Sequence, residues 1–527
     1  MPATELSSRR RSFVLASMCL ALVLVIASVS MLSNALPHIA EDLGLSQTSQ
    51  TWVVDAYALT LAALLLVAGA LGDRFGRRGA LLTGTVVFGL GSVLSAFADS
   101  GSALIAFRAI SGIGAALIMP GTLSTITSVF PPEGRAKAVG IWAGFAGAGG
   151  TLGMLGSGLL LESFWWGSIF VATALLSAVA FVAIALAVPS TKSEEHVSLD
   201  PPGALLAALG IAGLVFGIIE GPERGWGSPV TLVGLVVGVV ALCTFVWWEL
   251  RTPSPLLDPR LFRLRGFATG SASLLVMFLA MFGFFLVAVQ FLQLLLGFSP
   301  LKAAVALLPM SMVVLPLSAM AATFAERYGQ RRIAALGMLI GAAGMASFGT
   351  IRADSGYLHF LACLLTVGVG FALAMTPSTT AIVSSLPVSK QGVASAVNDT
   401  AREVGAALGV AVMASAFNSA YRGSIGSKLD GFDPEVAERS KEAPALALQA
   451  ARQLGDGGAA LADAAKEAFV AGLRGALVLA GLFMLGGALF TWFRGPHSDD
   501  VVAEDVLDES LEGATLGDGG LVGVQGA

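Results

Sequence analysis

The sequence predicts an all-α integral membrane protein of fourteen spans: two related six-helix bundles with two further helices between them. Three observations predict it. Of 527 residues, 55% are hydrophobic and only 12% charged, and mean hydropathy is +0.81. Soluble domains carry about 25% charged residues, so lipid must solvate this chain. Apolar runs recur, most of them near the roughly 20 residues that cross a bilayer core. Two short sequences in the first half also return in the second. The 64 glycines suit close helix packing in lipid. The net charge of −5 is small and says little about partners; no nucleic-acid partner is expected. Cys19, Cys243 and Cys363 each fall in an apolar run, with no disulfide framework and no metal-ligand spacing.

The elements follow in order. Residues 1–12 read as a cytoplasmic arm. Arg9, Arg10 and Arg11 precede an apolar stretch without a small-residue cleavage site, which predicts a retained first span rather than a signal peptide. Residues 13–188 form the first bundle, with spans near 13–36, 51–71, 79–98, 103–126, 136–160 and 167–188. A cytoplasmic linker, PSTKSEEHVSLDPPG, covers 189–203. Two extra spans, near 204–220 and 228–249, fill 204–249, and a basic linker covers 250–267. Residues 268–493 form the second bundle, with spans near 268–296, 301–323, 332–351, 357–383, 391–417 and 468–493. Its long outer loop, 418–466, reads as solvated and partly helical. The acidic tail, 494–527, has the composition of a disordered segment.

Basic residues gather on one side of this layout. Arg9–Arg11 precede span 1. Arg74, Arg77 and Arg78 follow span 2, Arg135 and Lys137 follow span 4, and Lys192 follows span 6. Arg251, Arg260, Arg263 and Arg265 follow span 8, Arg327, Arg331 and Arg332 follow span 10, Lys390 follows span 12 and Arg494 follows span 14. The opposite loops carry Glu41, Asp42, Asp99, Glu220 and Glu223. Both termini are therefore expected in the cytoplasm.

The shortest joint carries the densest charge. GDRFGRRG (Gly72–Gly79) separates spans 2 and 3, and AERYGQRR (Ala325–Arg332) occupies the same place in the second half. GIGAALIMP (Gly112–Pro120) likewise returns as GVGFALAMTP (Gly368–Pro377). Both pairs lie about 255 residues apart, so the halves are repeats that can rock about a shared cavity. Gly72 and Gly76 are expected to allow the tight turn. Asp73 is expected to face a helix N-terminus or a basic partner in the other bundle. Arg74, Arg77 and Arg78 can pair with acids and lipid phosphates.

GALGDRFGRRGALL, from Gly69, resembles the signature between helices 2 and 3 of the major facilitator superfamily. The resemblance implies that Gly69, Gly72, Asp73, Arg74, Gly76, Arg77 and Arg78 form a latch between the bundles, broken and remade during transport. The second copy is degenerate, with Glu326 for Asp73. LIAFRAISGIGAA resembles the family's second motif, in which the arginine, here Arg108, is linked to proton transfer; Ser111 replaces the usual Gln. A purely structural counter-ion role for Arg108 stays open. GGTLGMLGSGLLL resembles the antiporter motif of helix 5 through Gly149, Gly153, Gly156 and Gly158, with Met154 in place of the motif's Pro. With fourteen spans, the chain from about Phe13 to Arg494 is similar to the drug:H+ antiporters of the QacA/EmrB type. NALPHIAEDLGLS, WVVDAYALTLAALLL and GVASAVNDTAREVGAALGVAV carry that likeness further.

Candidate proton-coupling residues are Asp55, Arg108, Asp399 and Glu403. Asp55 lies about one turn into span 2, and an interface role stays open for it. Asp399 and Glu403 are four apart and share one face of span 13. Glu403 lies about 18 Å along that helix, near mid-membrane, where a carboxyl can trade a proton as access alternates. Arg402 follows Asp399 by three residues, so a static pair holding the helix stays open. Ser28 stands where the family usually has an Asp, and Val314 lies where some cation pumps have an acid. These departures predict a preference for monovalent or neutral lipophiles over dications. Candidate cavity residues are Trp142, Phe285, Gln290, Phe291, Gln293 and Asn398, since aromatic faces hold cations.

No phosphate-cradling loop and no Ser/His/Asp array stands out, so neither ATP nor enzymatic chemistry is expected. The resemblance implies a cofactor-free monomer of the bacterial cytoplasmic membrane, multi-pass in the lipid bilayer, that exchanges small lipophilic substrates for protons. A lipid or peptide flippase, or a facilitator without antiport, is the alternative on the same scaffold.

Overall fold

The computed structural model describes residues 7–45, 47–189, 200–387, 390–430 and 432–496. The expected disorder of the acidic tail beyond residue 496, and most of the 189–203 linker, lie outside the described residues. Among the described residues, fourteen helices are long and apolar enough to cross a membrane.

The first six are α1 Ser8–Asp42, α2 Gln47–Phe75, α3 Arg77–Ala96, α4 Gly101–Val129, α5 Pro132–Leu161 and α6 Ser168–Ala187. The inserted pair is α7 Pro201–Arg224 and α8 Pro229–Glu249. Then come α9 Arg265–Gln290, α10 Pro300–Tyr328, α11 Gln330–Ser347, α12 Tyr357–Ser384 and α13 Gln391–Gly426. Two short helices, α14 Pro434–Glu442 and α15 Pro444–Gln453, precede α16 Ala459–Arg494, the fourteenth span. Most spans overrun the apolar run that predicts them by a few residues. The polar ends gain intrahelical hydrogen bonds and caps, such as Ser7, whose Oγ accepts from Arg10 N at 3.4 Å. A turn of π-helix, Phe291–Leu295, prolongs α9.

Helices α1 to α6 pack as one bundle; α9 to α13 and α16 pack as the other. The bundles meet along two seams, α5 against α10 and α2 against α13, with α4 also touching α13. The α7–α8 hairpin lies on α2 and α13, where the ring of Trp52 sits 5.8 Å from that of Phe216. Small residues set the spacing. A Cβ on Gly140 would stand 2.6 Å from Ser318 O, on Gly144 3.1 Å from Leu315 O, and on Gly147 2.9 Å from a Val314 methyl. These three glycines bring α5 backbone-close to α10.

The basic linker is tied down by acids at the hairpin's base. Asp200 caps α7, accepting from Gly203 N at 2.9 Å, and both its oxygens accept from Trp248 Nε1, at 2.9 and 3.0 Å. Glu249 accepts from Leu257 N at 3.4 Å, joining α8 to the approach to α9.

The outer loop differs from the expected solvated segment. Helix α13 continues to Gly426 and α16 begins at Ala459. At 36 residues each, these rods are about 54 Å long, well beyond a bilayer core of about 30 Å. Their projecting ends and α14–α15 enclose Tyr421, Ile425, Ala447, Leu448, Leu461 and Phe469 in an apolar core. Tyr421 donates its hydroxyl to Ser440 O at 2.8 Å, and Lys428 pairs with Glu467. The Ala-rich patches are therefore faces of a packed cap, because the small side chains let four short amphipathic segments close on one another.

Candidate functional site

The joint between α2 and α3 is built around Asp73, which is 2% exposed. Its Oδ1 accepts from Arg77 Nε at 3.1 Å and Nη2 at 3.0 Å. Its Oδ2 accepts from the backbone of Gly392 at 2.8 Å and Val393 at 3.3 Å. Those amides open α13, so a carboxylate of one bundle caps a helix of the other and meets the positive end of its dipole. Arg77 belongs to the same bundle as Asp73, and also donates to Ser124 O of α4 at 3.3 Å. Arg78 donates to Ala185 O at the end of α6, at 2.7 Å. Arg74 is exposed, with its guanidinium 5.4 Å from the Phe75 ring. Pairing with lipid phosphates is expected of all three arginines; Arg77 and Arg78 are engaged inside the bundle, and Arg74 lies at the surface.

The glycines divide by cause. Gly76 has φ +107°, a conformation that disfavours other residues, and Gly329 repeats it in the second half at φ +94°. A Cβ on Gly69 would lie 2.6 Å from Gly392 O and 2.7 Å from the Ala396 Cβ, so Gly69 lets α2 and α13 touch. Gly72 differs from the expectation of a required glycine: a Cβ there meets only the Ala80 Cβ, at 3.8 Å. Glu326, the counterpart of Asp73, is exposed.

The other four motif glycines face different neighbours. Cβ atoms on Gly149 and Gly153 would meet Ile26 at 3.0 Å and the Ala27 Cα at 2.8 Å, on α1. On Gly158 it would meet Leu301 of α10 at 3.0 Å, and on Gly156 nothing within 4 Å. Close packing, expected of the whole run, thus does not extend to Gly156. Beside Met154, the Asn34 amide donates to Met154 O at 3.1 Å and Ser157 Oγ at 2.9 Å, tying α1 to α5.

Midway along the bundles lies a buried charged cluster. Asp399 is fully buried, and its Oδ1 takes Arg402 Nη1 at 3.4 Å and Asn398 Nδ2 at 2.9 Å. The Arg402 guanidinium lies 4.6 Å from the Phe278 ring centroid on α9 and 5.3 Å from that of Trp142 on α5. Trp142 is itself fixed by donating Nε1–H to Thr122 Oγ1 at 3.1 Å. Arg108 is 2% exposed, donates Nε to Val53 O at 3.3 Å and stacks 4.3 Å over Tyr57, whose hydroxyl reaches Val25 O at 3.1 Å. Ser28, also buried, donates to the same carbonyl at 2.8 Å. Glu403 and Asp55 are half-buried.

The cavity residues separate. Trp142 and Asn398 belong to this cluster. Phe291 is stacked on Phe360 at 5.3 Å, inside the second bundle, which differs from an exposed place on a cavity wall. Phe285 lies half-buried, 5.5 Å from Phe284, and Gln290 donates to Leu286 O of its own helix at 3.1 Å. Gln293 lies half-buried in the π turn. Sequence reasoning missed Phe278, Thr122, Gly140, Gly144 and Gly147. The glycines carried a signal in their spacing of four and three residues; Phe278 and Thr122 carried none.

Comparison with known proteins agrees with this architecture. The Major Facilitator Superfamily model matches residues 18–410. The chain is 32% identical to the multidrug efflux pump LfrA of Mycolicibacterium smegmatis, over 92% of this chain and 97% of that protein. It is 32% identical to the methyl viologen resistance protein SmvA of Salmonella typhimurium, over 89% of this chain and 95% of that one. It is 31% identical to the tetracenomycin C resistance and export protein of Streptomyces glaucescens, over 78% and 77%. Among solved structures, the proton:xylose symporter XylE aligns with a TM-score of 0.62 at 16% identity, covering 96% of this chain and all of its own, which speaks to the fold. Fourteen spans, two bundles meeting at an Asp73-capped helix, and these likenesses agree: the chain is a multi-pass membrane protein belonging to the Major Facilitator Superfamily.

Proposed function

We propose that this protein exports lipophilic and cationic small molecules, antibiotics among them, across the bacterial cytoplasmic membrane in exchange for protons. The relatives named for multidrug efflux, methyl viologen resistance and tetracenomycin C export support the direction and the substrate class. One observation carries the mechanism. Helix α13 receives the Asp73 latch at Gly392 and carries Asp399, Arg402 and Glu403 two to three turns further on. A change of charge in mid-membrane therefore acts on the same rod whose end closes the interface. Proton uptake at Asp399 or Glu403 weakens the hold on α13, the latch opens, and the cavity changes sides. The proton gradient is the energy source, no cofactor takes part, no bond of the substrate is broken, and one chain suffices.

Everted vesicles holding an acid-inside gradient test this. Adding a lipophilic cation should release protons with the wild type, and Asp399→Asn or Glu403→Gln should abolish the release while the protein remains in the membrane. Substrate movement without any gradient response would contradict antiport. It would favour the facilitator or flippase reading, to which Met154 and Ser28 belong.

A further inference from the structure

Arg402 is held in an unusual way for a buried arginine. A guanidinium has five N–H donors in a rigid fork. Here a single hydrogen bond, 3.4 Å long, joins it to Asp399, and it is not bidentate. Arg402 Nε and Asp399 Oδ2 are buried with no hydrogen-bond partner among the described residues. What surrounds the cation instead is aromatic: Trp142 from one bundle and Phe278 from the other, with a carboxylate beside them. Two π faces and the Asp399 carboxylate, with Glu403 the next acid on the same helix, suit a weakly hydrated organic cation. A phosphonium or quaternary ammonium ion has no N–H to satisfy, so it loses nothing there, whereas the guanidinium leaves donors unmet.

We propose that Arg402 is a resident stand-in for cationic substrate: its guanidinium occupies, between Trp142 and Phe278 and beside Asp399, the place that a monovalent lipophilic cation takes during transport. This rests on the export reading and adds a specificity-determining residue to it. The incoming cation displaces the guanidinium, takes over both rings and the Asp399 charge, and removes the contact by which Arg402 joins α13 to Trp142 of α5. Exchanging one singly charged group for another leaves the charge beside Asp399 and Glu403 unchanged, so the stand-in role is assigned for monovalent cations. Neutral lipophiles do not compete for it.

The test is binding of tetraphenylphosphonium and of neutral N-phenyl-1-naphthylamine to the full-length protein in lipid nanodiscs. Arg402→Gln should bind tetraphenylphosphonium about ten-fold or more tighter, the resident competitor being gone, with the neutral probe changed less than about two-fold. Equal or weaker phosphonium binding with neutral binding intact would overturn the assignment. Should Arg402→Gln not fold, Trp142→Leu and Phe278→Leu serve. Each should weaken phosphonium binding about five-fold or more and spare the neutral probe, and unchanged phosphonium binding would overturn the proposal. A wild type that binds neither probe would contradict the export reading itself.

Discussion

Replacing Asp73 with Asn is expected to cut transport of a lipophilic cation about ten-fold or more while the protein still inserts. The carboxylate makes two charge-assisted hydrogen bonds to the start of α13, at 2.8 and 3.3 Å, and these exist only while the bundles are closed at this end. Losing the charge removes about 2–3 kcal/mol from the closed form, a shift of roughly 30- to 150-fold between conformations. The Asp73–Arg77 pair lies within one bundle and survives opening, so its loss lowers overall stability rather than the closing bias. Asp73→Glu keeps the charge but adds a methylene where Gly392 approaches; a Cβ on Gly392 would already stand 2.5 Å from Asp73 Oδ2. It should recover only part of the transport. Initial rates of cation uptake into everted vesicles, normalised to protein, measure both variants. Full activity in Asp73→Asn would remove the latch from the mechanism.

Asp399→Ala is expected to have the largest effect on stability. It leaves the Arg402 cation buried, 2% exposed, without its hydrogen-bonded counter-charge. Breaking a buried ion pair from one side costs about 3–5 kcal/mol, whereas replacing both partners with apolar groups of similar size is often neutral. Asp399→Leu combined with Arg402→Met should therefore restore the thermal stability that Asp399→Ala loses, and still not release protons on substrate addition. Unfolding of detergent-purified protein reads the first part and the vesicle assay the second. A double variant no more stable than Asp399→Ala would show that the pair is not the unit holding α13.

The spans were legible because lipid demands long apolar helices, and hydropathy measures that demand directly. The latch loop was legible because Gly76 sits at φ +107° and the acid and arginines crowd one short joint, whereas the amides that Asp73 caps lie more than 300 residues away. What a helix touches was not legible. Gly140, Gly144 and Gly147 pack on α10, more than 160 residues away, and nothing local says whether a small-residue stripe faces its own bundle or the other. The same limit hid Phe278 beside Arg402, and put Phe291 among cavity candidates when its partner is Phe360. The outer cap was obscured because its larger apolar residues, such as Tyr421, Ile425, Leu448 and Leu461, are scattered among alanines and polar residues, which read as loop until the helices are set against each other.

The central claim is that charge on α13 controls the closure made at its N-terminus. Spin labels at the exposed positions Phe75 and Lys390, in a background lacking Cys19, Cys243 and Cys363, report the separation of α2 from α13 at that end. Asp399→Asn, which mimics the protonated acid, should move the inter-label distances toward a longer, open population, as should lowering the pH on the wild type. Distances that stay unchanged in Asp399→Asn and across pH would contradict the account, leaving the latch and the buried charges as separate features of the fold.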